Sequence, residues 1–370
     1  MRALLILNPR ATSMTGNLAG QVVRELGASL DLRTAQTKYR GHARELAADA
    51  ARQGYELVII FGGDGTVNEV VNGLMAVTAD RAAGAGAASG EAFADDPVLR
   101  ARPAIAIIPG GGGNVLARTL GIPVDPSTAT TRIVRAIRSG RTPRIIGLSL
   151  ASSPGVAHER YFTFAAGLGL DAEVVADVER ARASGHQSSP RLYMRTALRR
   201  YYTATDRSKP ALTLHIPGHF PTPGLFMGVV TNSSPWTYVG NLPLLTVPHD
   251  GPAGILNSGI DVFGLRRLRT LTTLGALHQM MHSNSTPPGG PDVLTMAELM
   301  ALTFSADRPI AFHIDGEYLG EVERVAFTFI PDALRVIALA VALQPRPVVI
   351  ETTSKSARRL PCPLALDQPY

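Results

Sequence analysis

Asp64 stands among glycines in the run Gly62-Gly63-Asp64-Gly65-Thr66, between the apolar stretch ELVIIF (56–61) and the helical TVNEVVNGL. Glycines there let the backbone approach a phosphate closely, and the free amides of a starting helix point towards the anion. A carboxylate in such a loop makes chemical sense as a ligand, direct or through water, for the Mg²⁺ that accompanies a nucleotide. The structural alternative is a tight strand-to-helix turn with Asp64 or Thr66 as an N-cap. A second loop, PGGGGN (109–114), follows the apolar PAIAIIP and precedes VLARTL. Two glycine loops at the carboxyl ends of parallel strands form the crevice in which open α/β sheets bind ligands. Neither loop fits GxGxxG with its downstream acidic residue, and no Gly-Lys pair exists, which excludes a P-loop. Phosphate charge must then be met by amides, Mg²⁺ and arginine, with Arg10 and Arg118 placed to contribute. The third element is HIDGEYLGE (313–321). Asp-Gly is the commonest hairpin turn signal. Two carboxylates, Asp315 and Glu317, at a turn facing the crevice also suit a base that takes a hydroxyl proton.

The elements that must carry these loops follow from hydrophobic periodicity. Residues 3–8, 29–36, 56–61 and 103–109 read as strands; helices fall at 17–28, at 42–52 and after Val67 and Asn114. Apolar strands alternating with amphipathic helices define a doubly wound α/β domain, expected over 1–143. An Ala/Gly-rich insert at about 78–101 reads as a surface loop. From 144 to 343, short β-rich runs separated by turns predict an antiparallel, sandwich-like domain interrupted by helices near 171–183, 190–204 and 265–281. Residues 344–370 read as a last strand and a loose tail.

Composition narrows the class. The chain has 370 residues, 45% hydrophobic and 18% charged, and no apolar run long enough to span a bilayer. The opening MRALLILNP reads as a buried strand, and Cys362 is the only cysteine, so a cytoplasmic address is expected. The net charge is +6, and all but three of the 36 basic residues are arginine. Arginine grips phosphate through paired hydrogen bonds. A nucleic-acid partner would account for the charge but for none of the motifs. The stretch 188–209 interleaves Arg191, Arg195, Arg199 and Arg200 with Leu192, Tyr193, Met194, Leu198, Tyr201 and Tyr202. Such a helix either rests on anionic lipid or packs its apolar side on its own domain. Trp236 lines a lipid entrance or fills the core, and apolar strands at sheet edges are compatible with a homodimer.

NPRATSMTG (8–16), GGDGTVNEVVNGL (62–74), PGGGGNVLARTLGIP (109–123), AAGLGLDAEVV (165–175), SPWTYVGNLPL (234–244) and HIDGEYLGE resemble, in order, the diacylglycerol kinase catalytic family, most of all its bacterial lipid kinase branch. The resemblance implies an ATP-dependent kinase that phosphorylates the hydroxyl of diacylglycerol or a related membrane lipid and associates peripherally with the membrane. It implies that Asp64 works through Mg²⁺, that Gly62, Gly63, Gly65 and Thr66 hold ATP phosphates beside Gly110, Gly111 and Gly112, and that Asn8 and Asn114 line the nucleotide site. Asp315 matches the catalytic base, Glu317 its partner, and Arg118 a contact for lipid phosphate or the membrane surface.

The chain departs from that pattern in places. Gly112 and Gly113 lack the family's hydroxyl, Ala165 replaces an expected Asn, and Val115 stands where another branch has Asp. Asn257 and Ser258 are weak ligands for a hard cation, so a structural metal site near them is not expected. The rival readings are a sphingosine or ceramide kinase and a catalytically weak lipid- or nucleotide-binding protein.

Overall fold

The computed structural model describes residues 1–85, 102–156, 158–184, 190–203, 205–247, 257–282 and 286–339. Four parallel strands open the chain: β1 (Arg2–Leu7), β2 (Asp31–Gln36), β3 (Leu57–Gly62) and β4 (Ala104–Pro109), ordered β4-β3-β1-β2. Every residue of β3 and β4 is buried, because helices cover both faces. Alternation along the strands divides their side chains between two cores. Leu57, Ile59 and Phe61 meet α1 (Gly16–Gly27) and α5 (Pro126–Arg138), whereas Val58 and Ile60 meet α2 (His42–Arg52) and α3 (Asp64–Ala85). The short α4 (Val115–Thr119) follows β4. α2 begins at Gly41, which has no side chain to cap it. Glu69 of α3 does so, its carboxylate accepting from the amides of Gly41 (2.8 Å) and Ala43 (3.1 Å).

The first residues of the expected insert are helical, since α3 runs to Ala85; the remainder, 86–101, lies outside the described residues, as does the expected tail. The strands that follow are β5 (Arg144–Ser152), β6 (Arg160–Phe162), β7 (Ala165–Gly169), β8 (Leu212–His215), β9 (Thr222–Leu225) and β10 (Met227–Thr231). They continue as β11 (Thr237–Val239), β12 (Leu242–Leu244), β13 (Ile260–Leu265), β14 (Val293–Leu299), β15 (Ala301–Ile314) and β16 (Glu317–Val336). Three helices are interspersed: α6 (Leu170–Ala183), α7 (Pro190–Thr203) and α8 (Thr270–His282). The order β14-β13-β10-β7-β15-β16 is antiparallel throughout, as the turn-punctuated pattern predicts. Phe162, Phe304 and Phe312 pack edge-on around Phe327 at its core.

β16 joins the two halves. It pairs with β15 and β5, shifts register between Ile330 and Leu334, and then lies parallel to β4 with Val336 opposite Ile105. Leu334 and Val336 are buried in the same core as α2 and α3. The fold is therefore α/β, its parallel and antiparallel parts continuous in one mixed sheet. Among the described residues no helix is long and apolar enough to cross a membrane.

Candidate functional site

The two glycine loops touch. Gly110 donates its amide to Gly62 O at 2.8 Å, and Gly111 approaches Gly63 so closely that a Cβ on it would stand 2.8 Å from the Gly63 Cα. Asn114, in the left-handed region at φ 50°, braces the second loop by accepting from Gly111 N (2.9 Å) and donating to Gly111 O (2.6 Å). Asn8, at the end of β1, donates to Thr66 Oγ1 at 2.8 Å and so ties a third strand end to the first turn of α3. Gly112 is exposed between these fixed points.

Asp64 is the first residue of α3, and its Oδ1 accepts from Val115 N at 2.8 Å. The carboxylate from the first loop thus caps the helix that follows the second, rather than its own helix. Gly113 lies against the other oxygen: a Cβ there would come 2.7 Å from Asp64 Oδ2. Burial, followed by the charge of Asp315, pushes the Asp64 carboxyl up to about 7 against the amides that favour its ionised form.

Asp315 and Gly316 (φ 47° and 75°) form a two-residue hairpin turn between β15 and β16, with Ile314 opposite Glu317. The Asp-Gly turn that the sequence signals is present. The Asp315 side chain, 4% exposed, accepts five hydrogen bonds. Oδ2 takes Asn68 Nδ2 (2.8 Å), Thr163 N (2.8 Å) and Thr163 Oγ1 (2.9 Å); Oδ1 takes Phe164 N (3.0 Å) and Ala165 N (3.1 Å). A carboxylate has about four lone-pair sites, so taking up a proton there means displacing one of these donors. Burial pushes its carboxyl up, and these donors oppose that.

Glu317 is ion-paired to both Arg40 and Arg160. Burial raises its carboxyl, but the two guanidiniums outweigh burial and hold it below the ordinary range. Arg118 turns away from the loops: it stacks 3.5 Å over the Tyr238 ring and donates to Gly240 O at 2.9 Å. Trp236 is half-buried against Val115, Phe164 and Ala165, in the wall between the second loop and the Asp315 cradle. Asn257 exchanges hydrogen bonds with Asp332 (2.7 and 2.9 Å).

Sequence reasoning missed Asn68, Asn72, Arg40 and Arg160. Asn68 and Asn72, both buried, were visible as amides one turn apart on a helix face that is otherwise core. It also missed the pair of His313 Nε2 and Asp171 Oδ2 at 2.6 Å; His313 is 3% exposed and its Nδ1 has no partner. A cavity of about 320 Å³ opens away from the loops, between α6, α7 and β15, where Arg200 already pairs with Glu173 at 3.1 Å.

Residues 2–142 match the diacylglycerol kinase catalytic domain family. Over 179 residues the chain is 30% identical to a diacylglycerol kinase of Bacillus subtilis (strain 168), covering 48% of each protein, so the match spans about half of that relative. Over 315 residues it is 26% identical to the "Probable lipid kinase YegS-like" of Stenotrophomonas maltophilia (strain K279a), covering 85% of this chain and 88% of the relative. The crystal structure of a diacylglycerol kinase from Bacillus anthracis str. Sterne shares the fold, with a TM-score of 0.62 over 92% of this chain and 98% of that one at 18% identity. Residues 2–142 are thus similar to the diacylglycerol kinase catalytic domain family, and the chain as a whole shares the fold of that solved structure.

Proposed function

We propose that the protein transfers the γ-phosphoryl group of MgATP to the hydroxyl of diacylglycerol or a related membrane lipid. One observation carries this reading: two touching glycine loops close on the half-buried carboxylate of Asp64. The amides of Gly63, Gly65 and Gly112 receive phosphate oxygens, while Gly110 and Gly111, bonded to Gly62 O and Asn114 Oδ1, hold the loops in shape together with Asn8 and Asn114.

Asp64 is the residue that would hold Mg²⁺, and hard carboxylate oxygen suits that ion. Among the described residues no three acidic, His or Cys side chains gather as a metal cage, so the nucleotide's own phosphates would complete the coordination. The ion, when bound, offsets phosphate charge. The lipid hydroxyl proton goes to Asp315, the carboxylate that the motif pattern matches to the base. The same side chain locks the β15–β16 turn to the β6–β7 segment.

The acceptor lipid requires contact with a bilayer. On α7, Met194, Leu198 and Tyr202 are exposed at four-residue intervals and alternate with exposed Arg195 and Arg199. An apolar stripe flanked by arginine suits an anionic lipid surface. The test is to incubate the purified chain with radiolabelled ATP, Mg²⁺ and mixed micelles of diacylglycerol, monoacylglycerol, ceramide or sphingosine, with Asp64→Asn as the blank. Label in one lipid, lost in the variant, is the expected result; no label in any lipid overturns the reading.

A further inference from the structure

Two arginines outside every sequence motif converge on Glu317. Arg40, in the turn before α2, and Arg160, at the start of β6, ion-pair with opposite oxygens of its carboxylate. Arg160 is also fastened to Asn68 Oδ1, through Nε at 3.2 Å and Nη2 at 3.0 Å. Asn68 lies one helical turn beyond Asp64 on α3 and gives its amide to Asp315. One guanidinium of the pair is therefore anchored about a turn from the loop that faces phosphate.

The charges around this pair are unevenly matched. Two guanidiniums share one carboxylate. Of the other carboxyls near Arg40, Glu69 is committed to the start of α2, and burial pushes Glu179 up towards its neutral form. The Arg40 side chain is 67% exposed and so free to swing, whereas Glu317 is 17% exposed. Arg118, the arginine the motifs favoured, is engaged elsewhere.

We propose that Arg40 and Arg160 form a clamp for the terminal phosphoryl group of a nucleoside triphosphate, which Glu317 holds closed until the nucleotide arrives. The inference rests on the kinase reading above. A phosphoryl group presents more negative charge than one carboxylate and matches the guanidinium fork. It competes Glu317 away, Arg40 swings to it, and Arg160 stays anchored through Asn68. The pair thereby supplies the cationic charge that a P-loop lysine supplies in other nucleotide-binding sites.

The test measures dissociation constants for MgATP and for MgADP on the full chain, on Arg40→Ala, on Arg160→Lys and on Glu317→Gln, with thermal melts as a check of folding. Loss of a charge-assisted contact predicts that Arg40→Ala weakens MgATP about 10- to 100-fold and MgADP less than about threefold. Arg160→Lys keeps the charge and loses the fork, so a loss of about tenfold for MgATP alone is expected. Glu317→Gln removes the competitor and is expected to tighten MgATP. Equal losses for both nucleotides, no loss, or weaker MgATP binding by Glu317→Gln would overturn the clamp. If no lipid is phosphorylated yet the ATP-selective pattern appears, the lipid kinase reading fails and the clamp stands. If lipid is phosphorylated and Arg40→Ala keeps the wild-type ratio of affinities, the clamp fails and the kinase reading stands.

Discussion

Asn68 Nδ2 lies 2.8 Å from Asp315 Oδ2, although 247 positions separate the two residues. This bond ties the second turn of α3 to the β15–β16 turn, and Asn68 uses its other side-chain atom to hold Arg160. Asn68→Ala removes both contacts from a buried site. A loss of about 1–3 kcal/mol in stability is expected from urea unfolding, together with a fall in turnover.

Asp315→Asn separates two roles for that carboxylate. An amide in its place turns an NH₂ group towards the donors Phe164 N and Ala165 N, or towards Thr163 N. The variant is expected to lose about 3 kcal/mol of stability as well as activity. An inactive variant with the wild-type melting temperature would mark Asp315 as the base and not as a brace.

Asp64 has the opposite signature. Its carboxyl ionises near 3.8 in an unfolded chain and at about 7 in the folded one. Between those values the folded state holds the extra proton, so this group costs stability as pH rises through the window and most above it. Asp64→Asn is expected to melt higher than wild type at about pH 8 and to match it near about pH 4. Mg²⁺ with nucleotide should stabilise wild type more than the variant at pH 8, because only the wild type gains a counter-charge for the carboxylate.

Gly113→Ala tests the close approach of the loops. The added carbon would meet Asp64 Oδ2 at 2.7 Å, so one group must move. Nucleotide affinity is expected to fall about tenfold or more while the melting temperature changes little, because the residue lies in a loop outside the core.

The α7 stripe is open to a sedimentation assay. Replacing Met194, Leu198 and Tyr202 by Ser is expected to reduce binding to vesicles containing anionic phospholipid, with turnover on a soluble short-chain acceptor unchanged. Equal vesicle binding by wild type and the triple variant would remove this face from the membrane contact.

Local patterns were legible in the sequence where the chemistry is local. Gly62–Thr66 and Pro109–Asn114 each announce themselves by glycines behind an apolar strand, and the structure places them in contact. The apolar run ELVIIF was legible as a strand covered on both faces, and the structure divides Val58 and Ile60 from Ile59 and Phe61 between two cores. Arg40, Arg160 and Asn68 could not be singled out, because ordinary polar residues become a network only when β6, α3 and the β15–β16 turn meet. Asp315 was legible in part. Its type and spacing fit a base, and only the fold shows that the Thr163, Phe164 and Ala165 amides also bond its oxygens.

The return of β16 to β4 has a consequence for how the chain is made. Arg102, just before β4, reaches its hydrogen-bond partner Ala333 across 231 positions, and Ile105 finds its strand neighbour Val336 over a similar span. At ribosomal speeds of roughly 5–20 residues per second, the β4 edge waits about 10–50 s for the segment that covers it. Through that interval the nascent N-terminal half presents an apolar, unpaired strand edge to solvent or to chaperones. Its glycine loops can form early, but the sheet that supports them is finished only when β16 emerges.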